Sequence, residues 1–110
     1  MKDFILFMYN DSTNQVAAND DDKWGEYLAG LRSSGQFDGG SSIGSGLHVR
    51  KGHSDRPSTP ELNGFIRVRA EGLEGARNFL AGNPIYEAGG TVEIRELLPD
   101  ETISYFYTVD

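Results

Sequence analysis

The side chains able to do chemistry in this chain are few. There are two histidines and no cysteine, so disulfides, zinc–thiolate sites and thiol nucleophiles are excluded. His48 alternates with Leu47 and Val49 along a predicted strand and therefore points away from them. An imidazole there suits general acid or base work near neutral pH; the competing reading is an exposed or hydrogen-bonded strand histidine. His53 sits among Gly, Ser and Pro and is expected in solvent. Asp38, just past the first long predicted helix, is a carboxylate that could orient a histidine, although nothing in the spacing brings it to one. Arg67 and Arg69 share one face of a predicted strand, and Arg95 lies on another. Three guanidiniums on one sheet face would take a carboxylate-bearing ligand through paired hydrogen bonds. The same residues serve equally in structural ion pairs, Arg95 with Glu93 or Arg69 with Glu71. Tyr9 and Tyr86 carry polar tips on apolar bodies and are read as cleft or rim residues. No metal centre and no cofactor are expected, because neither a histidine pair at i,i+4 nor a facial triad is visible. The Gly/Ser run over 39–46 lacks a following Lys-Ser/Thr and precedes no helix, so it reads as a strand-entry loop or bulge and not as a phosphate cradle.

Something must hold these groups in place. Residues 4–9, FILFMY, are apolar on both faces, which predicts a central strand covered on both sides. Residues 10–22 read as a polar loop whose Asn19–Asp22 end caps a helix over 23–34. Trp24, Tyr27, Leu28 and Leu31 form one stripe of that helix, Arg32 lies in its last turn, and Gly35 closes it. A strand over 43–50, a Gly/Pro loop over 51–62 and a strand over 65–70 make a long hairpin, with Ile66, Val68 and Ala70 opposite Phe65, Arg67 and Arg69. A second helix carries Leu73, Ala76, Phe79 and Leu80 and stops at Gly82-Asn83-Pro84. After the Gly89-Gly90 turn comes a strand over 91–98, then an aromatic strand over 103–109. The order β-α-β-β-α-β, with right-handed connections, predicts an α+β fold: a ferredoxin-like sandwich of strand order 4-1-3-2 with one extra C-terminal strand. Helices cover one sheet face; a second copy of the chain is the economical cover for the other.

With 110 residues the chain supports one domain, 1–110, with a thin core that pairing would help. Its net charge of -7 gives no electrostatic reason to seek nucleic acid or an anionic membrane. The six-residue apolar run near the start is too short for a signal-peptide core or a membrane span, so the expected location is cytoplasmic.

In order and spacing, several pieces resemble the YCII-related family, in particular its DGPF-domain branch. They are FILFMY, then W24-x-x-Y-L-x-x-L followed by Ser34-Gly35, LHVRKG at 47–52, Asp55-x-Pro57 and Gly64-Phe65. Gly75-Ala76, Asn83-Pro84 and Gly89-Gly90-x-Val92-Glu93-Ile94-Arg95-x-Leu97 complete the match, which spans roughly 2–98. The resemblance implies a dimeric α+β barrel, a homodimer in which two ferredoxin-like sheets face each other. It also implies, for some members, a His–Asp pair acting on small molecules. The family's helix histidine falls on Trp24 here, which makes Trp24 a candidate ligand contact and leaves His48, with Asp38, as candidate catalytic residues. Arg56 and Ser58 replace two residues of the DGPF signature. The function so implied is binding of a small anionic organic molecule in the intersubunit cleft by Arg67, Arg69, Arg95, Tyr9 and Trp24, with catalysis open. The alternative is a non-enzymatic regulatory or interaction protein that pairs with transcription regulators and does not bind DNA.

Overall fold

The apolar run is the middle strand of a four-stranded antiparallel sheet in the computed structural model, which describes residues 1–99. The elements in chain order are β1 (Lys2–Tyr9), α1 (Gln15–Ala18), α2 (Asp21–Ser33), β2 (Phe37–Ser42), β3 (Leu47–His48) and β4 (Arg56–Pro57). Then come β5 (Leu62–Ala70), α3 (Leu73–Arg77) with a 3-10 turn at Asn78–Leu80, α4 (Pro84–Glu87) and β6 (Val92–Leu97). The main sheet runs β2-β5-β1-β6. Counting only its four strands, that is the ferredoxin-like order predicted from the sequence. The aromatic strand expected over 103–109 lies outside the described residues. Among the described residues no helix is long and apolar enough to cross a membrane.

Alternation explains the layering. Phe4, Leu6 and Met8 of β1 and Ile66, Val68 and Ala70 of β5 all point to one face and are buried there under Tyr27, Leu31, Ala76, Leu80 and Ile85. Burial of a side chain such as Phe4 or Leu6 contributes about 1.5–3 kcal/mol, and both are essentially inaccessible. The opposite face carries Ile5, Phe7 and Tyr9 beside Phe65, Arg67 and Arg69 on one flank and Glu93, Arg95 and Leu97 on the other, by strand register.

The helices start where capping dictates. Asp20 caps α2 by accepting from the Lys23 N–H at 3.1 Å, and Asp21 and Asp22 add favourable charge in its first turn. Gly35, at φ +71°, carries the chain out of the helix in a conformation other residues resist. Asn83-Pro84 was expected only to stop a helix. It stops the 3-10 turn and also starts α4, with Asn83 as N-cap and Pro84 in the first turn. The loop expected over 10–22 likewise contains α1, capped by Asn14.

The predicted strand over 43–50 is corrected by the structure. The strand that pairs with β5 is β2, Phe37–Ser42, a sequence of poor β propensity. Phe37 packs on the core opposite Val68, whereas Gly40 faces Ile66. Three steps along β2 thus match two along β5, a bulge turned by Gly39 at φ +93°. Tertiary packing of Phe37 and the slimness of Gly40 override the local preference. Leu47 and His48 pair instead with Arg56 and Pro57 in a separate two-stranded ribbon.

Candidate functional site

A cleft of about 540 Å³ opens between α2 and the β2–β5 edge of the sheet. Its helical wall is the stripe Trp24, Leu28, Arg32, spaced i, i+4, i+8. Its strand wall includes Phe37, Gly39, Gly40, Ser42 and Asn63. Two contacts fix Trp24. Its Nε1 donates to the Ala18 carbonyl at 2.8 Å, and its ring meets Tyr27 edge-on, with centroids 5.8 Å apart and planes at 77°. Tyr27 is itself anchored, donating its hydroxyl to the Phe79 carbonyl at 2.7 Å, and burial raises its pKa. Trp24 therefore sits as a rigid, half-buried plate along the cleft. Trp24→Phe removes one hydrogen bond and leaves a ring. We expect urea unfolding to show a loss of about 1 kcal/mol; a loss above 3 kcal/mol would mean that the indole is a core residue and not a cleft wall.

A second concavity, of about 720 Å³, lies among α1, α2 and α4. Its one lysine, Lys23, shares it with Glu26 and Glu87. The smaller cleft is the better candidate because it joins aromatic surface to a guanidinium and polar strand groups.

The other sequence candidates lie elsewhere. Arg67, Arg69, Arg95 and Tyr9 are on the sheet face away from the helices, as the alternation predicts. Two of the arginines hold carboxylates of their own chain. Arg69 Nε donates to Asp38 Oδ2 at 3.0 Å and Oδ1 at 3.2 Å, and its Nη2 donates to the Gly35 carbonyl at 2.6 Å. The pairing weighed for Arg69 was with Glu71; the bulge in β2 delivers Asp38 instead. Arg95 pairs with Glu93 at 2.7 Å, the alternative foreseen in the sequence. Glu93 also accepts from the Tyr9 hydroxyl at 2.5 Å. Arg67 is exposed, with no side-chain partner among the described residues. His48 is exposed in the ribbon, its Nε2 3.5 Å from Thr59 Oγ1, and no hydrogen bond joins it to Asp38. His53 lies in solvent, with Nδ1 3.2 Å from the Lys51 carbonyl. Among the described residues no three of His, Asp and Glu gather as a metal set.

Residues that sequence reasoning did not place in a site are Leu28 and Arg32, read only as parts of a helix, and Phe37 and Asn63. The helical spacing from Trp24 to Leu28 to Arg32 is a signal that could have found two of them. None existed for Phe37 or Asn63, whose strand register depends on the bulge.

Hydrogen bonds set the pH response. The Tyr9 hydroxyl, and then Arg95, hold Glu93 below its ordinary value of 4.5. The hydroxyl and then the backbone N–H of Thr91 hold Asp11 below 3.8, through bonds of 2.6 and 2.8 Å. Both carboxylates bind protons less readily in the fold than in the unfolded chain. Their contribution to stability is therefore complete above those ordinary values and drains away as pH falls through the folded ones. The bond to Glu93 raises Tyr9 above 10.0, so its contribution is complete below that value and is lost on the alkaline side. We expect Asp11→Asn to flatten the acid limb of stability measured between about pH 5 and pH 2; an unchanged limb would remove Asp11 from it.

Comparison with known proteins gives a fold. No protein-family model matches the chain, and no curated protein matches it in sequence. Among solved structures it is similar to 5-chloro-2-hydroxyhydroquinone dehydrochlorinase (TftG) from Burkholderia phenoliruptrix, in complex with 2,5-dihydroxybenzoquinone. The TM-score is 0.55 at 14% identity, over 91% of this chain and 97% of that one. At that identity the likeness shows the ferredoxin-like α+β fold alone.

Proposed function

We propose that this protein binds a small organic molecule in the cleft between α2 and β2, and that it works as a YCII-related homodimer of the DGPF type, its two sheets facing each other. The observation that carries the first part is the 540 Å³ cleft walled by Trp24, Leu28 and Phe37, a volume within the range of ordinary ligand pockets. The intersubunit seat suggested by the arginines is less favoured, because Arg69 and Arg95 already hold Asp38 and Glu93. The second part draws on the sheet face that no element among the described residues covers, where Ile5, Phe7 and Phe65 stay half-exposed among charged neighbours. A second copy would hide them. This reading makes no claim of turnover.

Trp24 is the only tryptophan, so its fluorescence reports the cleft directly. We expect a library of small aromatic compounds to yield at least one that quenches Trp24 saturably and raises the melting temperature by several degrees, by mass action on the folded state. A flat response across the library, with a co-purifying protein, would favour the regulatory alternative. For the dimer, sedimentation at micromolar concentration should show two copies for the wild type and one for Phe7→Glu, whose new carboxylate would lie opposite Glu93 by register. A monomeric wild type would end that part.

A further inference from the structure

Arg32 differs in setting from the arginines that the sequence singled out. Among the described residues it is the only cationic one lining the cleft. Its side chain is exposed and has no hydrogen-bond or ion-pair partner among the described residues. A cation in the last turn of a helix complements the macrodipole, but that accounts for the turn and not for the face it occupies. Eight residues separate Arg32 from Trp24, about 12 Å along the axis at 1.5 Å per residue. Leu28 fills the interval with apolar surface. On the facing wall, Gly39 brings no side chain and lies beside open space, with no atom within 4 Å of where its Cβ would stand, so the cleft has room there for a flat group. At the far end of the cleft, Asp21 supplies the opposite charge. The cleft is thus polarised: an aromatic plate, an apolar stretch, then a single unpartnered guanidinium.

We infer that the cleft selects an aromatic monocarboxylate, with its ring against Trp24 and its carboxylate held by Arg32. This inference rests on the cleft reading above and names the ligand class and the specificity-determining residue. A guanidinium binds a carboxylate through two parallel N–H bonds, a geometry that neither Lys nor a neutral donor reproduces. One cation in a protein of net charge -7 favours a single negative charge over a polyanion.

The test is a Trp24 fluorescence titration with 3-phenylpropionate and its neutral amide, 3-phenylpropionamide. The wild type should prefer the acid by about tenfold to a hundredfold, the reach of one charge-assisted hydrogen bond. Arg32→Gln should weaken acid binding until the two probes match, leaving amide affinity unchanged, while Arg32→Lys keeps part of the preference. Arg77→Gln, exposed in the last turn of α3 and outside the cleft, should keep all of it. Equal binding of acid and amide by the wild type, or a preference that survives Arg32→Gln, would overturn the assignment and leave the cleft reading standing. If neither probe quenches the wild type at millimolar concentration while other aromatic compounds do, the ligand class is wrong but the cleft is not. If nothing quenches, both readings fall.

Discussion

Gly40→Val separates β2 from the sheet. A Cβ built on Gly40 would collide with the Phe65 carbonyl oxygen and stand 2.9 Å from Ile66 Cα and 3.0 Å from Ile66 Cγ2. The first two are backbone atoms of β5 and cannot rotate away. Even alanine at this position forces β2 outward, and valine adds branches to the same collision. Overpacking in well-ordered structure costs about 1–3 kcal/mol and sometimes more; rigid backbone places this site at the upper end. Gly44→Ala is the control, because no atom lies within 4 Å of the added carbon and its φ is not positive; it should fall within about 0.5 kcal/mol of the wild type. Urea unfolding of the wild type and of the Gly40→Val, Gly40→Ala and Gly44→Ala proteins decides the matter. Since β2 forms one wall of the cleft, Gly40→Val should also abolish ligand quenching of Trp24. A Gly40→Ala protein as stable as the wild type would show that β2 does not lie this close to β5.

Asn83→Ala has an effect of similar size for a different reason. Asn83 is fully buried, and its Oδ1 accepts from the Ile85 and Tyr86 N–H groups, each at 3.0 Å. Its Nδ2 donates to Met8 Sδ at 3.4 Å. Alanine leaves the first N–H groups of α4 without partners in a closed environment, and each such group costs about 1–3 kcal/mol. Together with the lost cap, a fall of about 2–4 kcal/mol is expected, or roughly 10 °C or more in melting temperature for a domain of this size. Asn83→Ser restores an acceptor for the cap and should recover part of the loss. An Asn83→Ala protein that melts with the wild type would mean that water or a shifted backbone satisfies those groups.

These two positions show where reading a sequence succeeds and where it stops. Asn83-Pro84 was visible as punctuation, yet its role as a helix start follows from Ile85 packing into the core after it. Gly40 looked like part of a loose Gly/Ser segment. Its closeness to β5 is a relation between residues more than twenty positions apart, and no local pattern records it. The candidate site divides in the same way. Trp24 entered the site through the family resemblance, while helical spacing placed Trp24 and Leu28 on one stripe that Arg32 continues. Phe37 came to the cleft only through the bulge at Gly39. The bulge also sent Asp38 to Arg69, 31 residues away, and no periodicity predicts such a pair.

The amino-acid pattern alone determined the ferredoxin-like strand order, through the β-α-β-β-α-β succession of elements. It also determined the faces of the residues over 65–70 on β5 and of Val92 and Ile94 on β6, because a period of two leaves a half-buried strand no other register; β1, apolar on both sides, carried no such mark. The pattern determined α2 and its apolar stripe for the equivalent reason at a period of 3.6. Tertiary structure decided the identity of the edge strand, the ribbon that carries His48, and the ion-pair partner of Arg69. It also decided that the cleft opens on the helical side. Each of these depends on how closely two distant backbones approach, and glycine, by lacking a side chain, permits that approach without marking its partner.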